Sequence, residues 1–245
     1  MVRWLTQVRY AWRRHGTIGL FWLIGYNIAY HVRRGGRRVA LTQQIDAFDS
    51  KYATDTAGYR DIRSLDAIAL PAARYAGRYE PSSAELVRSA LERLQIDPER
   101  FSFIDFGSGK GRALLIAAGF PFKEVVGIEF SRELHEIAEK NIALIPPEMT
   151  SAGVVRSIHR DAAVFEPPKS DLVCYFYNPF GPPVITAVAE KLAAHNKDFG
   201  YNIIIIYVDP RHREVFERTG RFAVLDETSV TLVLTTVRKS EDQVV

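Results

Sequence analysis

The chain has 245 residues, 47% of them hydrophobic, with a formal net charge of +3. That length suits one large α/β domain with an extra terminal segment, and the charge and glycine content are ordinary for a soluble globular protein. A lone cysteine, Cys174, excludes an intramolecular disulfide; lying in an apolar run, it reads as a buried, inert thiol in a reducing compartment.

The charge is unevenly spread. Before Asp46 there are eight arginines and no acid, so that of 32 basic and 29 acidic residues the remainder holds 24 and 29. The body is therefore mildly acidic, which argues against a nucleic-acid surface spread across it. The basic end, residues 1–45, also carries the apolar stretch Thr17–Tyr30, bracketed by arginines. It is short for a bilayer span, which needs about 20 apolar residues. Two readings stay open for this helical extension: packing on the domain or a dimer interface, and peripheral membrane contact through residues 1–40. The expected location is cytoplasmic, with membrane association through this segment as the variant.

Residues 46–245 form the second expected unit. Phe48–Gly58 is rich in turn and capping residues and reads as an ordered loop. Ser82 or Ser83 caps a helix running to about Leu94, with Leu86, Val87, Ala90, Leu91 and Leu94 on one face. Strands and helices then alternate. Strands are expected at Phe101–Phe106, Val125–Phe130, Val154–His159, Leu172–Tyr177 and Asn202–Val208. Helices are expected at Arg112–Gly119, Glu133–Leu144 and Val184–Ala194. Arg221–Leu225 and Thr228–Arg238 suggest a terminal antiparallel hairpin. The sum is an open, doubly wound α/β sheet.

The strongest motif is the strand-to-helix turn Asp105-Phe106-Gly107-Ser108-Gly109-Lys110-Gly111-Arg112. Glycine there permits a tight turn and close approach of a ligand. A dinucleotide fold wants G-x-G-x-x-G for a pyrophosphate at the helix N-terminus. Here the spacing is G-x-G-x-G, and Asp105 at the strand end would repel pyrophosphate but suit a cationic amine or sulfonium. A dehydrogenase is therefore the weakest alternative. Glu129 ends the second strand, 18 residues after Gly111, where an acid accepts hydrogen bonds from both ribose hydroxyls of an adenosine group. Asp161-Ala162 after the third strand supplies an adenine contact. Each acid alone reads as a cap or turn residue; their order at consecutive strand ends reads as a nucleoside site.

These residues resemble the class I S-adenosylmethionine-dependent methyltransferases over about residues 80–238, most clearly Phe103–Ile142. The resemblance implies S-adenosylmethionine as cofactor and a seven-stranded Rossmann-like sheet whose last hairpin inserts an antiparallel strand. It implies that the glycine loop, with Gly107, Ser108, Gly109, Gly111 and Arg112, contacts the methionine part. It also implies that Glu129 holds the ribose and that Asp161 reaches the adenine amine. Arg160 stands where many members have glycine. The Tyr-Glu-Pro-Ser-Ser segment before the first strand resembles a bacterial group within the superfamily, with a faint similarity to Dot1-like protein lysine methyltransferases.

Asn178-Pro179-Phe180-Gly181 follows the fourth strand, at the end of the sheet that faces the ligand crevice. The Asn178 side-chain carbonyl and the Pro179 backbone carbonyl can accept hydrogen bonds from an amine, with Phe180 flanking it. The segment resembles the Asn/Asp-Pro-Pro-Tyr/Phe motif of amino-group methyltransferases, with one proline fewer. A base is needed only for an ammonium or hydroxyl acceptor, and Glu80, Tyr79 and Tyr207 are candidates. The six histidines and Cys174 show no metal-ligand spacing. The expectation is N-methylation of an amine, in a protein lysine or a small molecule. O-methylation of a lipid or glycan and a non-catalytic S-adenosylmethionine-binding module are the alternatives, and the acceptor is not named by the sequence.

Overall fold

In a computed structural model of the chain, the described residues are 47–58 and 80–237, all within one compact unit, Ile45–Val245. The basic N-terminal segment and Tyr79 lie outside them. Seven strands run in chain order: β1 (Phe101–Phe106), β2 (Glu124–Glu129), β3 (Val155–His159), β4 (Asp171–Tyr177), β5 (Ile203–Val208), β6 (Phe222–Glu227) and β7 (Thr231–Thr236). They form one sheet of order β3-β2-β1-β4-β5-β7-β6. The first five pair in parallel, and β7 inserts antiparallel between β5 and β6. The order reverses between β1 and β4, so the crevice beyond their carboxyl ends is where such a sheet binds ligands.

The parallel centre is apolar because both of its faces are covered. Every residue of β1 and β5 is buried, as is all of β4 except Tyr177. One face carries a core around Phe106, Phe176, Tyr207 and Phe216, in which the Phe106 and Phe176 rings stack at 4.9 Å. The other carries Phe103, Phe122, Val125, Tyr175 and Ile206. Cys174 is fully buried, and burial pushes its thiol far up, so it is inert as expected.

Five α-helices lie within residues 80–237: α1 (Ala84–Glu92), α2 (Arg112–Ala117), α3 (Arg132–Ala143), α4 (Pro182–Phe199) and α5 (Arg213–Glu217). Ser83 caps α1 by accepting from the Leu86 N–H, and Ser131 caps α3 by accepting from the Leu134 N–H. α4 outruns the expected Val184–Ala194 at both ends. Pro182 and Pro183 occupy its first turn, where a missing N–H costs nothing, and Gly200 closes it in a left-handed cap. Its polar last turn hides this length from an apolar period. Residues 47–52 are helical where a loop is expected, and 53–58 are irregular; together 47–58 form a strap. No described helix is long and apolar enough to cross a membrane.

Candidate cofactor and acceptor site

The turn after β1 closes on the end of β2. Gly107 and Ser108 both donate their N–H to the Ile128 carbonyl, at 2.9 and 3.1 Å, and Gly111 donates to the Ser108 carbonyl. Gly107, Gly109 and Gly111 all have left-handed φ, at +84°, +53° and +87°. At Gly107 a second demand is added: a Cβ would stand 2.5 Å from the Pro179 Cβ. The glycine loop and the Asn178–Gly181 turn are thus in van der Waals contact, and only glycine lets them meet.

Glu129 ties the wall together. Its carboxylate accepts the Gly109 N–H and the Ser131 N–H, each at 2.8 Å. A carboxylate offers about four lone-pair sites, so capacity is left for two ribose hydroxyls. Burial raises Glu129 to about 7, against the lowering effect of these N–H donors. Asp105, also buried, is raised well above the usual carboxylate range by desolvation first and the Glu129 charge second. Two buried carboxylates side by side call for a ligand that brings a cation and hydroxyl donors.

A cleft opens to solvent over the carboxyl ends of β1, β2 and β4. Asp105, Gly107, Ser108, Arg112, Glu129, Pro179, Phe180 and Glu80 line it, whereas Gly109, Gly111 and Asn178 do not. Ser108 Oγ is a buried hydroxyl without a hydrogen-bond partner among the described residues. An orphaned donor in a glycine-loop wall fits a cofactor carrying its own polar groups. Gly127 makes the room for it, since a Cβ there would lie 2.6 Å from that oxygen.

Other expected residues are placed differently. Asp161 accepts the Ala163 N–H at 2.9 Å, capping the short 3-10 turn Ala162–Val164, and neither Asp161 nor Ala162 lines the cleft. Arg112 lines the cleft, but its Nε donates to Thr56 Oγ1 at 2.6 Å and its Nη2 to Asp49 Oδ1 at 3.3 Å. Asn178 sits at the end of β4 in a left-handed conformation, φ +39°, and its Nδ2 donates to Asp209 Oδ2 at 3.4 Å. Glu80 accepts the Tyr177 hydroxyl at 3.3 Å. Tyr207 is fully buried, and burial pushes its phenol up to about 12.

Sequence reasoning missed Tyr175, Tyr177 and Ser82. The Tyr175 hydroxyl donates to Ser82 Oγ at 2.9 Å, so the Tyr175/Tyr177 pair on one face of β4 meets the Ser82/Glu80 pair one-for-one. The signal was a matched two-residue spacing in both segments, one of them extended before α1.

The family model described as histone methylation protein DOT1 matches residues 77–159, about a third of the chain. That stretch contains Glu80, the glycine loop and Glu129, and ends before the Asn178 turn. No curated protein sequence matches significantly. Among solved structures, a ribosomal protein L11 methylase from Lactobacillus delbrueckii subsp. bulgaricus is 17% identical, covering 66% of this chain and 81% of its own, with a TM-score of 0.47. An RNA methyltransferase from Salinibacter ruber, in complex with S-adenosyl-L-homocysteine, is 20% identical over 67% of this chain and 100% of its own, with a TM-score of 0.42. Strand order, the glycine loop and the family match agree: the chain is built on the class I S-adenosylmethionine-dependent methyltransferase plan, and S-adenosylmethionine is the cofactor of that plan.

Proposed function

We propose that the protein transfers the methyl group of S-adenosylmethionine to an amine nitrogen, in a protein lysine or a small molecule. The observation that supports this reading is the contact between Gly107 and Pro179, which joins the cofactor loop to the turn that carries Asn178, with Pro179 and Phe180 in the lining of the cleft. Glu129 holds the ribose, the glycine loop and Ser108 hold the methionine part, and Asp105 faces its cationic end. The cofactor supplies an electrophilic methyl carbon on a sulfonium.

On the acceptor side, the Asn178 Nδ2 is committed to Asp209, which leaves its carbonyl to accept an N–H from the amine. The amine lone pair forms the new N–C bond while the S–C bond breaks, and its electron pair stays on sulfur. The nitrogen becomes cationic and releases a proton; an acceptor arriving as ammonium loses one beforehand. Glu80 and water at the open cleft mouth are the proton acceptors. Phe180 walls the cleft and excludes water from the transfer line.

Incubating the full chain with tritiated-methyl S-adenosylmethionine and host lysate tests this. Label stable to base on protein or amine small molecules supports N-methylation. Label in lipid or glycan would replace it with O-methylation, and absence of any transfer despite cofactor binding would leave a binding module.

A further inference from the structure

The glycine loop carries two cations, Lys110 and Arg112, in a position where a phosphate-binding turn would aim them at its ligand. Here both are drawn to residues 47–58. Lys110, 3% exposed, donates its Nζ to Asp55 Oδ1 at 2.6 Å and to the Ala57 carbonyl at 2.8 Å. Arg112, 2% exposed, reaches Thr56 and Asp49 and lies over the Phe48 ring at 4.6 Å. The strap is itself tightly built. Asp49 accepts from the Thr56 and Ala57 N–H groups and from the Thr54 and Thr56 hydroxyls, at 2.6–3.0 Å. Asn141 of α3 bonds the Asp55 backbone at both its N–H and carbonyl, and also bonds the Lys110 carbonyl.

We propose that the strap sets the charge of the cofactor cleft: Asp49 and Asp55 hold Arg112 and Lys110 in ion pairs, so that the cleft presents Asp105 and Glu129 and prefers the cationic sulfonium cofactor to its uncharged thioether product. This rests on the reading of the cleft as an S-adenosylmethionine site. The two ligands share adenosine and amino-acid groups and differ by one positive charge at sulfur. A strap that only held the loop in shape would act on both equally. A strap that sets charge acts on their ratio. The burial of the cations makes the effect count, because a buried charge is poorly screened by salt, whereas the Asp55 side chain is 64% exposed and its pair with Lys110 is partly screened.

The test is calorimetric binding of S-adenosylmethionine and S-adenosylhomocysteine to the full chain and its variants. Asp49→Asn removes the negative charge of one Arg112 partner, makes the cleft region more positive by one charge, and is expected to weaken S-adenosylmethionine roughly three- to tenfold more than S-adenosylhomocysteine. Asp55→Asn shifts the ratio the same way by less, and more so at low than at high salt. Adding Arg112→Gln to Asp49→Asn restores the local charge balance and returns the ratio toward that of the unmodified chain. Where Asp49→Asn fails to fold, Asp55→Asn, at an exposed carboxylate, decides the matter. Equal weakening of both ligands, or an unchanged ratio in the variants, overturns the proposal. Failure of the unmodified chain to bind either ligand overturns the cofactor reading itself, and the strap proposal with it.

Discussion

The two walls of the cleft are built on opposite terms. On the β1–β2 side, Asp105 and Glu129 are 4% and 3% exposed, the loop amides are bonded, and the neighbouring cations are paired with the strap. On the β4–β5 side the lining is Tyr177, Pro179 and Phe180, and just outside it Asn178 and Asp209 both stand in left-handed backbone, φ +39° and +49°, their side chains meeting through one long hydrogen bond at an exposed position. Arg211 holds Asp209 from the solvent side, at 2.9 Å. The first wall is over-determined and suits one fixed ligand. The second stores backbone strain at its strand ends, and on the proposed function it is the side that receives the acceptor.

Substitutions should separate the walls. Glu129→Ala removes an acceptor for two ribose hydroxyls and for two loop N–H groups, and should weaken the cofactor by about 3 kcal/mol, over a hundredfold in Kd. Calorimetry reads it directly; unchanged affinity would break the ribose assignment. Asn178→Ala should lower turnover by about 2 kcal/mol, some thirtyfold, while the cofactor Kd stays put. If both constants moved together, the two walls would be one unit and the comparison would fail. Gly107→Ala strikes the seam between them: its methyl meets Pro179, and its φ of +84° is strained for alanine, so thermal melting should report a loss of about 1–3 kcal/mol.

The smallest effect is in pH. Glu129 must be ionised to accept from ribose, and its carboxyl is raised to about 7 from an ordinary 4.5. Cofactor affinity should therefore rise between pH 6 and 8, by less than about tenfold per unit, and level off above. The sign for stability is opposite. With the folded value above the unfolded one, the contribution of this group is full below pH 4.5 and is lost as pH climbs to about 7. Melting temperature and affinity measured across this range should diverge, and the divergence should vanish in Glu129→Gln.

Much of the β1–β2 wall was legible from local pattern. Phe101–Phe106 is the predicted strand residue for residue, and the other parallel strands fall within about one residue of expectation; for β1, β4 and β5 the reason is that a strand buried on both faces must be continuously apolar, while β3 lies half-exposed at the sheet edge. The glycine spacing and the acid at the end of β2 were readable for a similar reason: backbone sterics and a strand–helix–strand repeat act over about 25 residues of chain. Asp161 showed the limit of that logic. An acid after a strand also caps a turn, and here its side chain bonds the Ala163 N–H.

What the sequence alone determined was the sheet, its glycine turn and the class of ligand, each set by periodicity, φ and charge close along the chain. What only the tertiary structure decided was which groups those residues face. Arg112 and Lys110 turn to a strap more than 50 residues upstream, Tyr175 and Tyr177 meet Ser82 and Glu80 more than 90 residues away, and Pro179 closes on Gly107 from 72 residues on. Contacts of that range depend on how the strands are ordered in the sheet, and the partner of a buried charge is chosen by what the fold brings within 3 Å of it.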